Sequence, residues 1–232
     1  MKTWTTRSGY TIAQILGGRS NVFLLSHGGR NVLVDTGRQK DRAHLLERLQ
    51  DLRVALLDAL VLTHTHFDHA ENAAFLQKKY GARVLVHESE AGFLLKGKSP
   101  LPAGTLLPTK LLMALFAHRM ASGLTYEPCR PDVLVEDGLD LTDFGPSARL
   151  IHTPGHSRGS MSLVVDDEIA LVGDAMFGVF PCTIFPPFAD DVPQLISSWG
   201  RLLETGCRLF LTGHGSADNR RLMEKAYAGR RR

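Results

Sequence analysis

The feature that most constrains this chain is the hexapeptide at 64–69, His-Thr-His-Phe-Asp-His, which holds three imidazoles and one carboxylate. The apolar run 58–63 before it is typical of a short buried strand, and residues 70–81 after it are typical of a helix that ends at a glycine. The hexapeptide is therefore predicted to lie at the carboxyl end of a strand, where open α/β sheets bind their ligands. We expect a tight loop there, because residues two apart on a regular helix point to different sides.

Three further strand ends carry side chains of the same kind. His156, Asp174 and His214 each follow an apolar run and have glycines beside them. Singly, such residues are more often turn formers or caps, and a polar loop with accidental histidines is the alternative for the hexapeptide. Together they give seven candidate metal ligands: His64, His66, Asp68, His69, His156, Asp174 and His214. Seven ligands exceed the four or so that one zinc takes, so the pattern favours two ions with Asp174 as a shared bridge.

Strand patterns recur in both halves of the chain, with helical patterns at 39–52, 190–204 and 217–228. Strands with helices outside both halves predict an α/β protein built as a four-layer αββα sandwich. Residues 93–131 break the rhythm with a loop-like stretch and an apolar helix at 108–120. We interpret them as an inserted, lid-like helical segment within a single domain spanning 1–232, with a plain packing helix as the alternative. His118 of this segment is a further residue that could reach a substrate.

Length, composition and charge exclude some classes of function and partner. A chain of 232 residues with 44% hydrophobic content can bury a sizeable core, and its net charge of +3 does not require a nucleic-acid partner. We recognise no secretory signal and no apolar run of about 18 residues, so no membrane partner is expected. Cys129, Cys182 and Cys207 lack metal-finger or redox spacing, which predicts buried or semi-buried thiols in a reducing cytoplasm. We expect a cytoplasmic protein with a small-molecule substrate; a homodimer contact stays open.

The combined pattern resembles the metallo-β-lactamase superfamily. The matching elements, in order, are Leu-Val-Asp-Thr-Gly at 33–37, His-x-His-x-Asp-His at 64–69, Thr-Pro-Gly-His-Ser at 153–157, Asp174, and Gly-His-Gly at 213–215. The resemblance covers about residues 10–216. It implies the αββα metallo-hydrolase fold with the metals at one edge of the sandwich.

The resemblance also implies roles for individual residues. His64, His66 and His156 would hold a first ion; Asp68, His69 and His214 would hold a second; and Asp174 would bridge. Asp35 would orient ligands without binding metal, with a turn residue at the end of a strand as the alternative. The cofactors would be two divalent ions, zinc foremost with iron or manganese as alternatives, and a hydroxide bridging them would attack the substrate. Asp68 is the candidate catalytic residue, as a proton acceptor; a purely structural ligand role is its alternative.

Differences between this sequence and the patterns of related families reduce the number of candidate substrate classes. The ligand set has no cysteine, which argues against the cysteine-containing class of true β-lactamases. Hydroxyacylglutathione hydrolases are similar but carry a further helical domain, whereas 18 residues follow His214 here. In acyl-homoserine lactonases, which also look similar, a tyrosine takes the place of Phe177, and phenylalanine cannot donate a hydrogen bond. With apolar walls expected from Phe177, Phe180 and 185–188, we predict hydrolysis of an ester, lactone or thioester of a partly hydrophobic substrate.

Three other functions remain open at this point. Persulfide dioxygenases of the same fold are oxidoreductases that use one iron held by two histidines and an aspartate. Phosphodiesterases and nucleases of the superfamily are a second alternative, although no basic patch matches them. A non-enzymatic binding module is the third, and such a chain would be expected to have lost ligands.

Overall fold

The computed structural model describes residues 1–121, 124–144 and 147–231, with the side chains of all of these except 117–121. Two sheets face each other within these ranges. The strands of the first sheet follow in sequence order: β1 Lys2–Thr5, β2 Thr11–Leu16, β3 Val22–His27, β4 Arg30–Val34, β5 Ala59–Val61, β6 Arg83–His87 and β7 Val133–Val135. The strands β1 to β4 pair antiparallel, whereas β4 to β7 pair in parallel.

The second sheet is formed by the later part of the chain. Its strands are β8 Gly138–Asp140, β9 Ala148–His152, β10 Met161–Val165, β11 Ile169–Gly173, β12 Leu209–Thr212 and β13 Asp218–Asn219. They lie in the order β13-β12-β11-β10-β9-β8, and β11 and β12 pair in parallel. A parallel pair needs a long crossover, which here contains the helix Val192–Glu204.

Most α-helices of the described residues pack on the outer faces of the sheets. The helices of these residues are α1 Arg42–Asp51, α2 Phe67–Ala70, α3 Ala73–Tyr80, α4 Glu88–Lys96, α5 Leu107–Ala121, α6 Val192–Glu204 and α7 Arg220–Arg230. None of them combines the length and the apolar composition that crossing a bilayer requires.

Three apolar layers separate the four structural layers. In β5, Leu60 belongs to the cluster that packs on α1 and α3, whereas its neighbour Val61 faces the second sheet. In β10, Leu163 faces the first sheet and Val164 joins Trp199 of α6 in the third cluster. Successive side chains of a strand point to opposite faces, so strands covered on both sides are apolar throughout. The predicted αββα sandwich is confirmed.

The hexapeptide is less loop-like than predicted. A one-turn helix, α2, contains Asp68 and His69, because the His66 carbonyl accepts hydrogen bonds from the amides of His69 and Ala70. The predicted helix then begins only at Ala73. Its end is as predicted: Gly81 closes α3 with φ +67°, the left-handed conformation that glycine adopts most readily.

Other boundaries also differ from the sequence-based expectation. Residues 93–96 complete α4, which the sequence analysis did not predict, and α7 begins at Arg220 because Asp218 and Asn219 pair with β12. Cys129 and Cys207 are buried as expected, but Cys182 is exposed, so that prediction was wrong for one of the three thiols. That 93–131 is an insertion into a single domain stays a prediction.

Trp199 of α6 anchors the third layer to the segment after β11. Its side chain is fully buried and Nε1 donates to the Ala175 carbonyl over 2.7 Å. We expect Trp199→Phe to lower the free energy of unfolding by about 2 kcal/mol, because it leaves a gap and a carbonyl without its donor. Urea denaturation followed by circular dichroism measures the change. Leu56→Ala, at a side chain 54% exposed, should stay within about 0.5 kcal/mol, and equal losses in both would contradict this role.

Candidate metal centre

All seven predicted ligands come together where strand ends of the two sheets meet. The hexapeptide follows β5 of the first sheet. In the second sheet, His156 lies between β9 and β10, Asp174 directly follows β11, and His214 follows β12. The Met161 amide donates to the Thr63 carbonyl over 2.8 Å and so ties the segment before the hexapeptide to the second sheet.

Asp174 lies at the middle of this cluster. Its carboxylate oxygens are 3.5 Å from His69 Nε2, 3.6 Å from His156 Nε2 and 3.2 Å from His214 Nε2. Potential donor atoms lie within 4.8 Å of one another in three overlapping groups: His64, His66 and His156; His64, His69 and Asp174; and Asp68, His69 and His214. The first and third groups are the two sets that the resemblance implied, and the second contains the expected bridging carboxylate.

Several donor atoms in the cluster lack a protein partner. Among the described residues, the buried Nε2 atoms of His64, His66 and His69 and Oδ1 of Asp174 make no hydrogen bond. Buried polar atoms are nearly always paired, since leaving one unpaired costs about 1–3 kcal/mol. Unpaired imidazole and carboxylate donors that converge in one place suit borderline divalent cations such as zinc or ferrous iron. The residues present therefore fit bound divalent metal.

Burial and neighbouring charges keep some of the candidate ligands in the protonation state that binds metal, which is neutral for histidine and ionised for aspartate. Burial, reinforced by neighbouring imidazoles, holds the pKa of His64 and of His66 well below its usual value, so both rings are neutral at pH 7. Burial also disfavours charge on His69, but three nearby carboxylates outweigh it and raise its pKa to about 10. For Asp174, burial is outweighed by neighbouring histidines, which hold its pKa well below the usual range and keep it charged.

Asp35, a buried carboxylate outside the cluster, orients one of its rings. One oxygen lies 2.8 Å from His69 Nδ1, and the other accepts the Thr63 amide over 2.8 Å. The backbone of Asp35 has φ +61°, a left-handed conformation that costs a non-glycine residue of order 1–3 kcal/mol and persists only where its surroundings impose it. The predicted contact between Asp35 and a candidate ligand is confirmed.

Two backbone carbonyls orient other rings in the same way. Nδ1 of His156 lies 3.0 Å from the Phe188 carbonyl, and Nδ1 of His214 bonds the Arg19 carbonyl. A carbonyl oxygen can only accept, so each Nδ1 carries a hydrogen and the neutral ring presents the lone pair of Nε2 to the cluster. Neither contact was predicted from the sequence, because every residue has a carbonyl and the sequence pattern does not indicate which carbonyl lies close to a ring.

The cluster opens into a cavity of about 310 Å³. Its lining includes His66, Phe67, Asp68, Ser99, Pro100, Pro102, Met113, Leu124, His156, Asp174, Phe177, Pro186, Pro187, Phe188 and His214. Two of the predicted wall residues lie elsewhere: Phe185 packs edge-on against Trp199, and Phe180 is 50% exposed. Phe177 is a wall residue, with its ring centroid 5.4 Å from that of His214.

Helix α5 forms one side of the cavity. Met113 lines it, whereas Leu111 and Leu115 on the outer side of the helix are 58% and 65% exposed. The hydroxyl of Thr109 donates to the Pro187 carbonyl over 2.8 Å and so holds the start of α5 against another part of the wall. The side chain of His118 lies outside the described residues, so its proposed contact with substrate stays a prediction.

The backbone at Gly213 passes directly beneath the cluster. A Cβ atom there would collide with Asp174 Oδ1 and crowd the ring of His69. We expect Gly213→Ala to displace both side chains and to weaken Zn²⁺ binding at least about tenfold, the range seen when the partners of metal ligands are altered. Isothermal titration of the metal-free protein measures this. Gly229→Ala in α7, where a Cβ meets nothing within 4 Å, is the matched control, and unchanged affinity in both variants would contradict the prediction.

Sequence comparison identifies the family of this chain. The profile of the metallo-beta-lactamase superfamily matches residues 15–214. A metallo-beta-lactamase fold-containing protein of Sulfurisphaera tokodaii is 31% identical over 73% of this chain and 64% of its own length. Human acyl-coenzyme A thioesterase MBLAC2 is 29% identical over 69% of this chain and 60% of its own length. The chain spans about half to two thirds of the length of the first curated relatives it matches.

Comparison with solved structures agrees with the family found by sequence comparison. An archaeal metallo-beta-lactamase superfamily protein from Sulfolobus tokodaii superposes with a TM-score of 0.66 at 25% identity, over 94% of this chain and 85% of the other. The metallo-beta-lactamase SMB-1 reaches a TM-score of 0.69 over 100% of this chain and 94% of its own, and at 18% identity it speaks for the fold alone. This chain belongs to the metallo-beta-lactamase superfamily.

Proposed function

We propose that this protein is a metal-dependent hydrolase that cleaves thioesters, and related esters, of a partly apolar acyl group. The observation that carries the proposal is the convergence of imidazole and carboxylate donors beside an apolar cavity. Hydrolysis of an acyl compound needs a site that activates water and a pocket that holds the acyl chain against it. The donor cluster and the cavity, which share residues, support both requirements.

The proposed metal ligands are the seven predicted from the sequence. His64, His66 and His156 would hold one divalent ion, Asp68, His69 and His214 a second, and Asp174 would contact both, with zinc the favoured metal. The chemistry supplied by bound ions there would be the activation of a water near neutral pH and the polarisation of the acyl carbonyl. The unpaired Nε2 atoms of three of these histidines support the assignment.

The remaining tasks fall to side chains of the chain itself. Asp68 lines the cavity, and its carboxylate is 17% exposed and lies 3.4 Å from His214 Nε2, so it is placed to accept the proton that an attacking water loses. The rings of Phe177 and Phe188 line the same space, where they exclude solvent and pack against an acyl chain. A ligand role without proton transfer is the alternative for Asp68.

The thioester is favoured over other acyl bonds on two grounds. The human relative named above is called an acyl-coenzyme A thioesterase, and most residues lining the cavity other than the candidate ligands are apolar. A lactone is the second candidate, but Phe177 offers no hydroxyl that could donate to a lactone carbonyl. The residues found to line the cavity include no Lys or Arg, which disfavours a phosphodiester.

An oxidoreductase that uses a single iron is the rival mechanism. It would need two histidines and an aspartate, and the donor groups here provide more than that. The third group, formed by Asp68, His69 and His214, adds three donors beyond those that a one-iron site requires. Its presence supports hydrolysis at a two-metal site.

Metal removal and ligand substitution test the proposal. We expect the Zn²⁺-loaded protein to hydrolyse acyl-coenzyme A thioesters, and a chelator to abolish turnover until zinc is restored. His66→Ala and Asp174→Ala remove proposed ligands, so bound metal should fall and kcat/KM should drop at least about 100-fold, the upper end of what weaker changes around such sites cost. Metal analysis by mass spectrometry and a thiol-release assay provide the measurements.

A control and two contrary outcomes sharpen this test. His44→Ala changes an exposed histidine of α1 and should alter neither metal content nor turnover. No chelator-sensitive hydrolysis of any thioester, ester or lactone would overturn the proposal. One iron per chain together with oxygen uptake on a persulfide would replace it with the dioxygenase.

Selectivity for the acyl chain is tested at α5. Met113→Trp places a larger side chain in the cavity, so KM for long-chain thioesters should rise about tenfold or more while acetyl thioesters are unaffected. Leu115→Trp makes the same change on the outer side of the helix, where the side chain is 65% exposed, and should leave the chain-length profile unchanged. Equal profiles in wild type and both variants would show that the acyl chain binds elsewhere.

A further inference from the structure

Thr65, between two of the proposed ligands, has every polar group bonded. The residue is fully buried. Its amide donates to Glu90 Oε2 over 3.1 Å, its hydroxyl donates to the same oxygen, and its carbonyl accepts from the Tyr126 hydroxyl over 3.0 Å. The backbone between His64 and His66 is therefore held in one position by groups that do not belong to the metal cluster.

The second oxygen of Glu90 binds a different loop. Oε1 accepts the amide of Gly159 over 3.2 Å, and Gly159 lies in the β9–β10 loop that carries His156. The approach is so close that a Cβ atom at 159 would collide with Glu90 Cγ. A single carboxylate, 2% exposed, thus joins the two loops that supply His64, His66 and His156.

We infer that Glu90 is a positioning residue for the first metal site, acting as a clamp between its two ligand loops. The inference rests on the proposed function, since it takes those three histidines as ligands of one ion. It needs no contact between Glu90 and metal or substrate. Glu90 lies outside the predicted ligand set, and an acidic residue in the first turn of a helix is otherwise an ordinary stabiliser of that helix.

The chemistry of the clamp requires a carboxylate. Three donors, two amides and a hydroxyl, converge on Glu90, and an ionised carboxylate offers acceptor sites on both oxygens. A glutamine has one acceptor oxygen, so its amide group would face either Thr65 or Gly159 donor to donor. Glu90→Gln therefore keeps the size of the side chain while releasing one of the two loops.

Asp35 performs the equivalent task for the second site. It binds His69 directly and holds Thr63 by its amide and hydroxyl. The two carboxylates thus divide the contacts with the hexapeptide. Glu90 binds it at Thr65, whereas Asp35 binds His69 of the second proposed set directly and reaches His64 of the first set only through the Thr63 hydroxyl, which lies 3.1 Å from His64 Nδ1. We therefore expect substitution of Glu90 to weaken binding of one ion and substitution of Asp35 to weaken binding of the other.

The experiment titrates Zn²⁺ and, for its absorption spectrum, Co²⁺ into metal-free wild type, Glu90→Gln and Asp35→Asn. We expect two binding events in wild type. Glu90→Gln should weaken one of them 10- to 100-fold and change the Co²⁺ spectrum of that site, while Asp35→Asn should weaken the other. Amide hydrogen exchange of the metal-free proteins should show faster exchange at Thr65 or Gly159 in Glu90→Gln alone.

Asp132→Asn is the matched control. The Asp132 carboxylate accepts the amide of Val84 and the side chain of Gln77, both over 2.8 Å, at the opposite end of β6 from Glu90. The substitution Asp132→Asn should lower the midpoint of thermal unfolding without changing either of the two metal-binding events. If Glu90→Gln does not fold, Thr65→Val, which removes the hydroxyl contact alone, should weaken the same event by a smaller factor.

The outcomes separate the inference from the function on which it rests. Wild type that binds no metal would overturn the proposed function, and the exchange rates would still test the clamp. Two normal binding events in Glu90→Gln, or an equal loss in Asp132→Asn, would overturn the inference while leaving the proposed function in place.

Discussion

The structure depends on gathering polar donors in a place that water barely reaches. Four of the five clustered histidines are 5% exposed or less, and each would lose solvation without gaining a partner unless something else compensated. Compensation comes partly from the fold. One ring nitrogen, Nδ1, of His69, His156 and His214 is hydrogen-bonded to the Asp35 carboxylate, the Phe188 carbonyl and the Arg19 carbonyl, respectively. The other nitrogen, Nε2, of each ring therefore points into the cluster.

The sandwich architecture explains how such distant residues meet. Parallel strands end at the same edge of a sheet, and the hexapeptide after β5 lies beside the strand that leads to Glu90. In the second sheet the parallel pair β11 and β12 brings Asp174 and His214 together. The two sheets are joined at this edge by backbone hydrogen bonds, including one from the Asn21 amide to the Gly213 carbonyl, which fix the loops of one sheet against those of the other.

Much of this was predictable from the sequence, for a physical reason. Apolar runs that end in His or Asp beside glycine locate both the strands and the donors, and for that reason the sandwich and the clustering of seven side chains were predicted. Short strands such as β1 and β8 carry too few residues for a periodic signal. The helix α4, the contacts to backbone carbonyls and the role of Glu90 depend on tertiary approach, which no local pattern encodes.

Helix α5, which forms one side of the cavity, is held in the structure in a different way from the neighbouring cluster of candidate metal ligands. The donors stand at the ends of buried strands, whereas α5 exposes Leu107, Leu111 and Leu115 to solvent and is fastened near its first turn by threonine hydroxyls to the carbonyls of Pro186 and Pro187. In the proposed function, the metal chemistry and the choice of acyl chain therefore belong to separate parts of the polypeptide. A lineage could exchange the wall for one of another shape and acquire a new specificity while inheriting its chemistry intact.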